Sequence, residues 1–418
     1  MKIGFAGLSH LGIISSIVAA SKGFNVIAYD RDENRVFNLN KGLSEYTEPK
    51  LKNYLKSYKK KIIYTSDLKK LSECDIVYIS LDIKTDSAGN SILTEVSKLV
   101  KKVIKTLNKK AILVILSQVK PGFTRKINIE KNRLFYQVET LVFGNAINRA
   151  ENPERIIIGV FNKEKKLNEK FNLFLKKYRC PILPIGYESA ELSKISVNIQ
   201  LSATVTATNL LSEICEKTKA NWSEIIETLR LDKRIGKHAY ISPGLGISGG
   251  NLERDIQTTK KLVETNYIKT DFLKSISKSS ELRKNWVYNI FKRKILKKIK
   301  NPKICLLGLA YKANTNSIKN SPSIKLLKKI KRYKTNIYDP VVKIGKKSKY
   351  FNQHTNLNFA ISGSDILIIL TPWNEFMRID DKIIKLMRNK YIIDPFGILK
   401  KKINKNKIKY FTLGESTI

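Results

Sequence analysis

The chain opens Lys2-Ile3-Gly4-Phe5-Ala6-Gly7-Leu8-Ser9-His10-Leu11-Gly12, and the reading of this stretch decides the fold. A short apolar run ends in a glycine turn and passes into a helix-like segment, residues 13–22. The run reads as a buried strand. Gly7 and Gly12 supply the tight turn and the close helix packing of a dinucleotide-binding unit. Ser9 stands where that fingerprint carries its second glycine, so the turn reads G-x-S-x-x-G. A second strand, residues 25–29, ends at Asp30, placed so that its carboxylate accepts from both ribose hydroxyls and repels a 2′-phosphate. NAD rather than NADP follows from that carboxylate.

Working outward, β-like runs at 76–81 and 111–116 flank a helical stretch at 92–107. Strands alternating with helices predict a parallel sheet. From 188 to 217 there is neither Gly nor Pro, which predicts one long helix. Asn221, with Glu224 three residues on, caps a second helix at 222–231. A glycine-rich loop, 243–250, follows. The last part then repeats the first. Lys303-Ile304-Cys305-Leu306-Leu307-Gly308-Leu309 echoes the opening, and Tyr338-Asp339 echoes Tyr29-Asp30, with further strands at 366–370 and 391–393. The expected fold is α/β, with two Rossmann-like parallel-sheet domains joined by a central helical domain that contains one long helix. Its boundaries are set at 1–187, 188–298 and 299–418.

Composition narrows the function classes. A length of 418 residues predicts two or three domains. Hydrophobic and charged fractions of 42% and 28% lie near globular averages and exclude extensive disorder. Cys74, Cys180, Cys215 and Cys305 form no C-x-x-C pair, so neither a disulfide framework nor a metal site is expected, and a reducing cytoplasm is the expected compartment. Gly7, Ser9, His10 and Gly12 interrupt the apolar N-terminus, which excludes a signal peptide, and no other segment has the apolar length of a membrane span. The formal charge of +43 comes from lysines scattered along the chain together with abundant Ile and Asn, a joint enrichment that AT-rich codons produce. Solvated lysine faces are therefore expected rather than a nucleic-acid surface. Such a chain still draws anionic ligands into its pockets.

An ordered set of further motifs carries a family resemblance. It comprises Glu48-Pro49, Pro153-Glu154-Arg155-Ile156 before Gly159, Lys194 with Asn198, Gly244 through Asp255, Gly308-Leu309-Ala310-Tyr311-Lys312, Ser321-Pro322, and Thr371-Pro372-Trp373-Asn374-Glu375-Phe376. In this order the chain resembles the UDP-glucose/GDP-mannose dehydrogenase family over nearly its whole length. The resemblance implies that the first domain binds NAD through Gly7, Leu8, Ser9, His10, Leu11, Gly12, Asp30, Arg35 and Gln118, and that Lys319 of the last domain stands where the family has an arginine that reaches the cofactor. It also implies that the central helices form a homodimer and that the last domain holds the nucleotide of a nucleotide sugar. Arg234, Tyr240, Gly246, Ser248, Gly249 and Lys312 match substrate-binding positions. Lys194 and Asn198, four apart on the long helix, match groups that stabilise negative charge on the reacting oxygen, and Asp255 matches an aspartate that moves protons through water. Glu139 is retained from a pair of glutamates, with Phe143 at the other position.

One departure bears on the chemistry. Asn251 occupies the position of the family's cysteine, whose thiolate forms a thiohemiacetal and then a thioester, and an amide cannot form that adduct. Gln118 after Ser117, Lys319 in place of an arginine, and Asp82 and Lys84 in a cofactor-side loop are further changes. The expected function is NAD-dependent oxidation of a nucleotide sugar, most simply a UDP-sugar, without the covalent step. The alternative is a non-catalytic homologue that binds the same ligands in a structural or regulatory role. An ordinary helix-surface pair of Lys194 with Glu191 is the structural alternative for the lysine.

Overall fold

The computed structural model describes residues 1–86, 89–344, 351–404 and 408–416. The chain divides into two compact units, Met1–Val197 and Asn198–Ile418. The first is built on a mostly parallel sheet and the second on an all-parallel one.

In the first unit the strands are β1 (Lys2–Ala6), β2 (Asn25–Tyr29), β3 (Ile62–Thr65), β4 (Ile76–Ile79), a small separate pair β5 (Lys84–Thr85) and β6 (Ser91–Ile92), then β7 (Ile112–Ile115), β8 (Leu134–Gln137), β9 (Ile156–Val160) and β10 (Ile182–Gly186). The sheet order is β10-β9-β8-β7-β4-β1-β2-β3. Every pairing in it is parallel except β8 with β9. β1 after Lys2, β4 and β7 are covered on both faces and so are apolar rather than alternating. Phe5, Tyr78 and Phe174 pack together on one side of the sheet, and Leu113, Ile115 and Val103 lie on the other. Each such fully buried apolar side chain contributes about 1.5–3 kcal/mol.

The second unit holds the rest of the long helix, Tyr187–Lys217, the helices Trp222–Leu231 and Asn251–Thr265, and an all-parallel sheet. Its strands are β11 (Ile304–Leu307), β12 (Thr335–Tyr338), β13 (Phe351–Gln353), β14 (Ile366–Ile369), β15 (Tyr391–Ile393) and β16 (Lys409–Phe411). Their order, β13-β12-β11-β14-β15-β16, is that of a doubly wound dinucleotide fold. The helices are tied to the C-terminal segment through Glu216, which accepts from Arg283 Nη2 (2.8 Å), Trp286 Nε1 (2.6 Å) and Gly414 N (3.1 Å).

Element boundaries differ from the sequence reading in two informative places. The opening helix starts at His10 and ends at Ser21, three residues earlier than the apolar periodicity suggests, because the glycine turn leads directly into helical backbone. The helix expected at 92–107 runs only from Thr94 to Thr106, since Ile92 is paired with Lys84 in the β5/β6 ladder. The helix Trp222–Leu231 has its expected cap, with Asn221 accepting from Ser223 N at 3.0 Å.

The internal repeat extends to a device that apolar patterning does not show. Asp75, just before β4, accepts from Lys2 N at 3.0 Å, and Asp365, just before β14, accepts from Lys303 N at 2.8 Å. Lys170 hydrogen-bonds Asp75 and holds its carboxyl below the ordinary range against the opposing effect of burial. Burial also opposes ionisation of Asp365, but Arg388, Lys303 N and Asn389 outweigh it and depress that carboxyl as well. A carboxyl depressed in the folded state contributes stability above its unfolded value that is lost as pH falls through the folded one. The urea midpoint is therefore expected to drop as pH is lowered from about 5 toward 3, and Asp365→Asn should flatten that dependence while lowering stability at pH 7. A second prediction concerns Gly12, where a Cβ would lie 1.8 Å from Gly7 O. Gly12→Ala should destabilise by at least ~2 kcal/mol in chemical denaturation, against the gain of about 1 kcal/mol usual for such a change inside a helix.

Candidate functional site

β1 lies between β2 and β4, the switch point at which the following loops diverge and a crevice opens at the strand C-termini. A cleft of about 430 Å³ lies there, lined by Gly7, Ser9, Asp30, Arg35, Leu81 and Asp82, among others. Gly7 has a φ of +98°, and a Cβ there would come within 2.9 Å of Leu81. Leu8 and Leu11 are buried, at 0% and 3% exposure, with their side chains in the core of the first unit. Asp30 accepts from Leu8 N at 2.6 Å and Asp32 N at 2.9 Å, with Arg35 Nη1 at 3.3 Å. A carboxylate offers about four lone-pair directions, so one remains for a ribose hydroxyl, where the sequence predicted bonds to both hydroxyls. The size of the cleft and the free direction on Asp30 fit the adenosine half of NAD. The side chain of His10 is committed elsewhere. Its Nε2 is 2.9 Å from Glu48 Oε1, and its ring stacks on Phe143 at 4.1 Å. Glu48 also accepts from Gly144 N and Ala146 N, which explains the Glu48-Pro49 motif as a clamp on the 139–146 segment. Gln118 is half-buried in the segment after β7.

Lys194 does not pair with Glu191. Its ammonium is 3.3 Å from Glu139 Oε2, and the two side chains are 12% and 14% exposed. Glu191 is instead fully buried and accepts from Gly122 N (2.6 Å) and Thr124 N (2.8 Å), anchoring the loop after β7 to the long helix. Glu139 also accepts from Leu141 N. These contacts bring Lys194 and Glu139 together in the first unit.

In the second unit Asn198, one turn further along the same helix, donates through Nδ2 to Asp255, which is 1% exposed and also bonded by Arg254 Nε at 3.2 Å. Asp255 lies on the helix Asn251–Thr265, whose N-cap is Gly250. Asn251 is the first residue of that helix and is exposed. The preceding loop is shaped by glycines in close contact. Gly246 has a φ of +79° and leaves 2.5 Å between an added Cβ and Ser280 O. At Gly249, with a φ of +85°, a Cβ would come within 2.9 Å of the Tyr311 ring, over which Lys312 Nζ lies at 5.7 Å. Gly249 N donates to Lys319 O at 3.1 Å, and the Lys319 side chain runs past Gly250. The 243–250 loop thus meets the segment carrying Tyr311, Lys312 and Lys319 at Gly249 and Gly250. Ser248 Oγ is buried there without a hydrogen-bond partner. Arg234 and Tyr240 stand apart and exposed, with Arg234 paired to Asp232 at 2.6 Å.

The NAD-binding, central and UDP-binding domains of the UDP-glucose/GDP-mannose dehydrogenase family match residues 1–176, 188–281 and 305–401. A UDP-glucose 6-dehydrogenase of Rickettsia bellii is 30% identical over 438 aligned positions, covering 99% of both chains. The chain belongs to the UDP-glucose/GDP-mannose dehydrogenase family. A putative UDP-glucose 6-dehydrogenase of Bacillus subtilis, YtcA, is 25% identical over 96% of this chain and 97% of its own length. The fold is shared with a UDP-D-ManNAc dehydrogenase from Pyrococcus horikoshii (TM-score 0.83, 23% identity, all of both chains) and a UDP-glucose dehydrogenase from Pyrobaculum islandicum (TM-score 0.82, 20% identity, 97% and 98% covered). As a member of this dehydrogenase family the protein is an NAD-dependent oxidoreductase acting on CH–OH groups, with its NAD-binding domain first and its UDP-binding domain last.

Within this family member no cysteine is poised as a nucleophile. Burial raises the thiol of Cys74 to about 12 and also pushes up those of Cys180, Cys215 and Cys305, so none is a thiolate near neutrality. Among the described residues no cluster of His, Cys, Asp and Glu is arranged to hold a metal ion, and no helix is long and apolar enough to cross a membrane.

Glu191 was not singled out as a site residue by its sequence position, because only the folded loop brings the Gly122 and Thr124 amides to it. Glu191→Ala leaves two amides without their carboxylate and should cost about 2–3 kcal/mol. Glu191→Gln, which keeps one acceptor, should cost less. Chemical denaturation of both variants tests this, and unchanged stability in Glu191→Ala would refute the anchoring role.

Proposed function

We propose that the protein oxidises a hydroxyl carbon of a UDP-sugar, stopping at the carbonyl or continuing through its hydrate, without a covalent bond to the enzyme. The observation that carries this reading is Asn251 at the first position of its helix. A helix N-terminus lowers a thiol's pKa and favours a nucleophilic thiolate, whereas a carboxamide there neither ionises nor attacks a carbonyl.

NAD, when bound, supplies the hydride acceptor. The roles of the chain's own groups follow from their chemistry. Gly7 to Gly12, Asp30, Arg35, Gln118 and Lys319 serve the cofactor. Lys194 and Asn198, one turn apart, provide an ammonium and an amide that stabilise negative charge developing on the sugar oxygen. Asp255 takes up the hydroxyl proton through water. Glu139 positions the Lys194 ammonium. If the aldehyde hydrate is the second substrate, the same groups serve a second hydride departure, and the product is a carboxylate. Gly246, Ser248, Gly249 and Lys312 contact the nucleotide sugar, and the buried, unpartnered Ser248 hydroxyl supports that assignment because such a group costs free energy until a partner arrives. Arg234 is assigned to the substrate of a neighbouring protomer, and Tyr240 to substrate binding.

We further propose a cytoplasmic homodimer with domains at 1–187, 188–298 and 299–418. Leu210, Leu211 and Ile214 on the long helix are 61%, 45% and 49% exposed, and Leu231 on the next helix is 85% exposed. An uncovered apolar set of this kind is what a central-helix dimer would bury.

The test is to count NADH formed per UDP-sugar consumed and to challenge the reaction with hydroxylamine. The expected result is turnover with no hydroxylamine-sensitive adduct, and a kcat at least ~100-fold lower in Lys194→Ala. Two NADH per sugar together with a trapped thioester would overturn the proposal. NAD binding without turnover on any nucleotide sugar would favour a structural or regulatory homologue instead.

A further inference from the structure

Two departures, Ser9 in the dinucleotide fingerprint and Asp82 in the cofactor-side loop, are physically joined. Ser9 Oγ accepts from Asp82 N at 2.7 Å and donates to Ser80 O at 3.3 Å, fastening the loop after β4 to the glycine turn. The Asp82 carboxylate is thereby held over the start of the opening helix, where Oδ2 accepts from Leu11 N at 3.2 Å. Leu11 is the second residue of that helix. Its amide is one of the donors that a helix start leaves without an internal partner and that a dinucleotide fold directs at the pyrophosphate. The carboxylate is exposed to the same cleft that Gly7, Asp30 and Arg35 line.

We infer that Asp82 is an internal anion that occupies the pyrophosphate position, so that NAD binds only by displacing its carboxylate from the Leu11 amide, and that Asp82 thereby sets the cofactor affinity. This rests on the cleft being the NAD site. Two like charges at one amide repel, and the displaced carboxylate loses both its hydrogen bond and its favourable place at the helix start. Without cofactor, the same contact stabilises the helix. The two effects of Asp82 therefore have opposite signs, favourable to the free protein and unfavourable to the complex. The neighbouring lysine on the loop, Lys84, also lines the cleft; it carries the opposite charge, so it cannot account for a gain in affinity on neutralising Asp82.

The experiment compares the full-length wild type with Asp82→Asn and Asp82→Ser, measuring thermal midpoints without ligand and affinities for NAD, ADP-ribose and adenosine by calorimetry or competition. The expected result is a lower midpoint without ligand in both variants and affinities for NAD and ADP-ribose raised about 10-fold, a gain of the size one partly screened charge supplies. Adenosine, which has no pyrophosphate, should bind all three proteins equally. Equal or weaker NAD binding by both variants, with the wild type still binding NAD, overturns this inference alone. A parallel gain for adenosine also overturns it, since the effect would then not act at the pyrophosphate. Failure of all three proteins to bind NAD removes the cofactor reading and this inference with it.

Discussion

The structure depends on one hydrogen bond made twice. At the end of β2 the Asp30 carboxylate accepts from Leu8 N at 2.6 Å, and at the end of β12 the Asp339 carboxylate accepts from Leu309 N at 2.6 Å. In each case the amide follows a glycine with positive φ, Gly7 at +98° and Gly308 at +91°. Only a left-handed residue turns the chain sharply enough to aim that amide across to the neighbouring strand. The bond fixes the glycine turn against the second strand, and the helix start, the strand order and the crevice above the sheet follow from that anchor. The two copies then diverge. Asp339 is saturated by Ala310 N, Val341 N, Val342 N and Trp373 Nε1, while Asp30 keeps capacity for a ligand.

The long helix distributes the remaining polar groups. Its first half carries Glu191 inward to two loop amides and Lys194 to Glu139. Further along it carries Asn198 to Asp255 and Glu216 to Arg283 and Trp286. A helix interior satisfies its own backbone, so each of these buried side chains must find its partner on another element. They do so with charges of opposite sign or with amides, the condition under which a buried carboxylate is tolerable.

Much of the architecture was legible because it rests on local patterns. The apolar runs of β1, β4, β7, β11 and β14, the long stretch without Gly or Pro, and the Asn221 cap each follow from short-range chemistry. The approach of the 243–250 loop to Lys312 followed from motif order together with family resemblance, whereas the contact of Lys319 with Gly249 and Gly250 did not. What was not legible required contacts distant in sequence. His10 belongs to the glycine turn by position, yet its ring is enclosed by Glu48 and Phe143. Glu191 is the nearest acid to Lys194 along the helix, yet it is spent on Gly122 and Thr124. Helical spacing brings residues three and four apart to one face but cannot say which of two acids the fold turns away.

The sequence by itself determined two doubly wound units, an NAD-type acidic residue after the second strand, a helix carrying Lys194 and Asn198, and an amide at the family's cysteine position. These depend on residue identity and on periods of two to four residues. Tertiary structure alone decided which carboxylate meets Lys194, that burial, partial at Cys180, raises every thiol, and that Ser9 and Asp82 are one device rather than two separate departures. The physical reason is that pairing and desolvation are properties of the space around a group, and that space is assembled from strands and loops tens of residues apart.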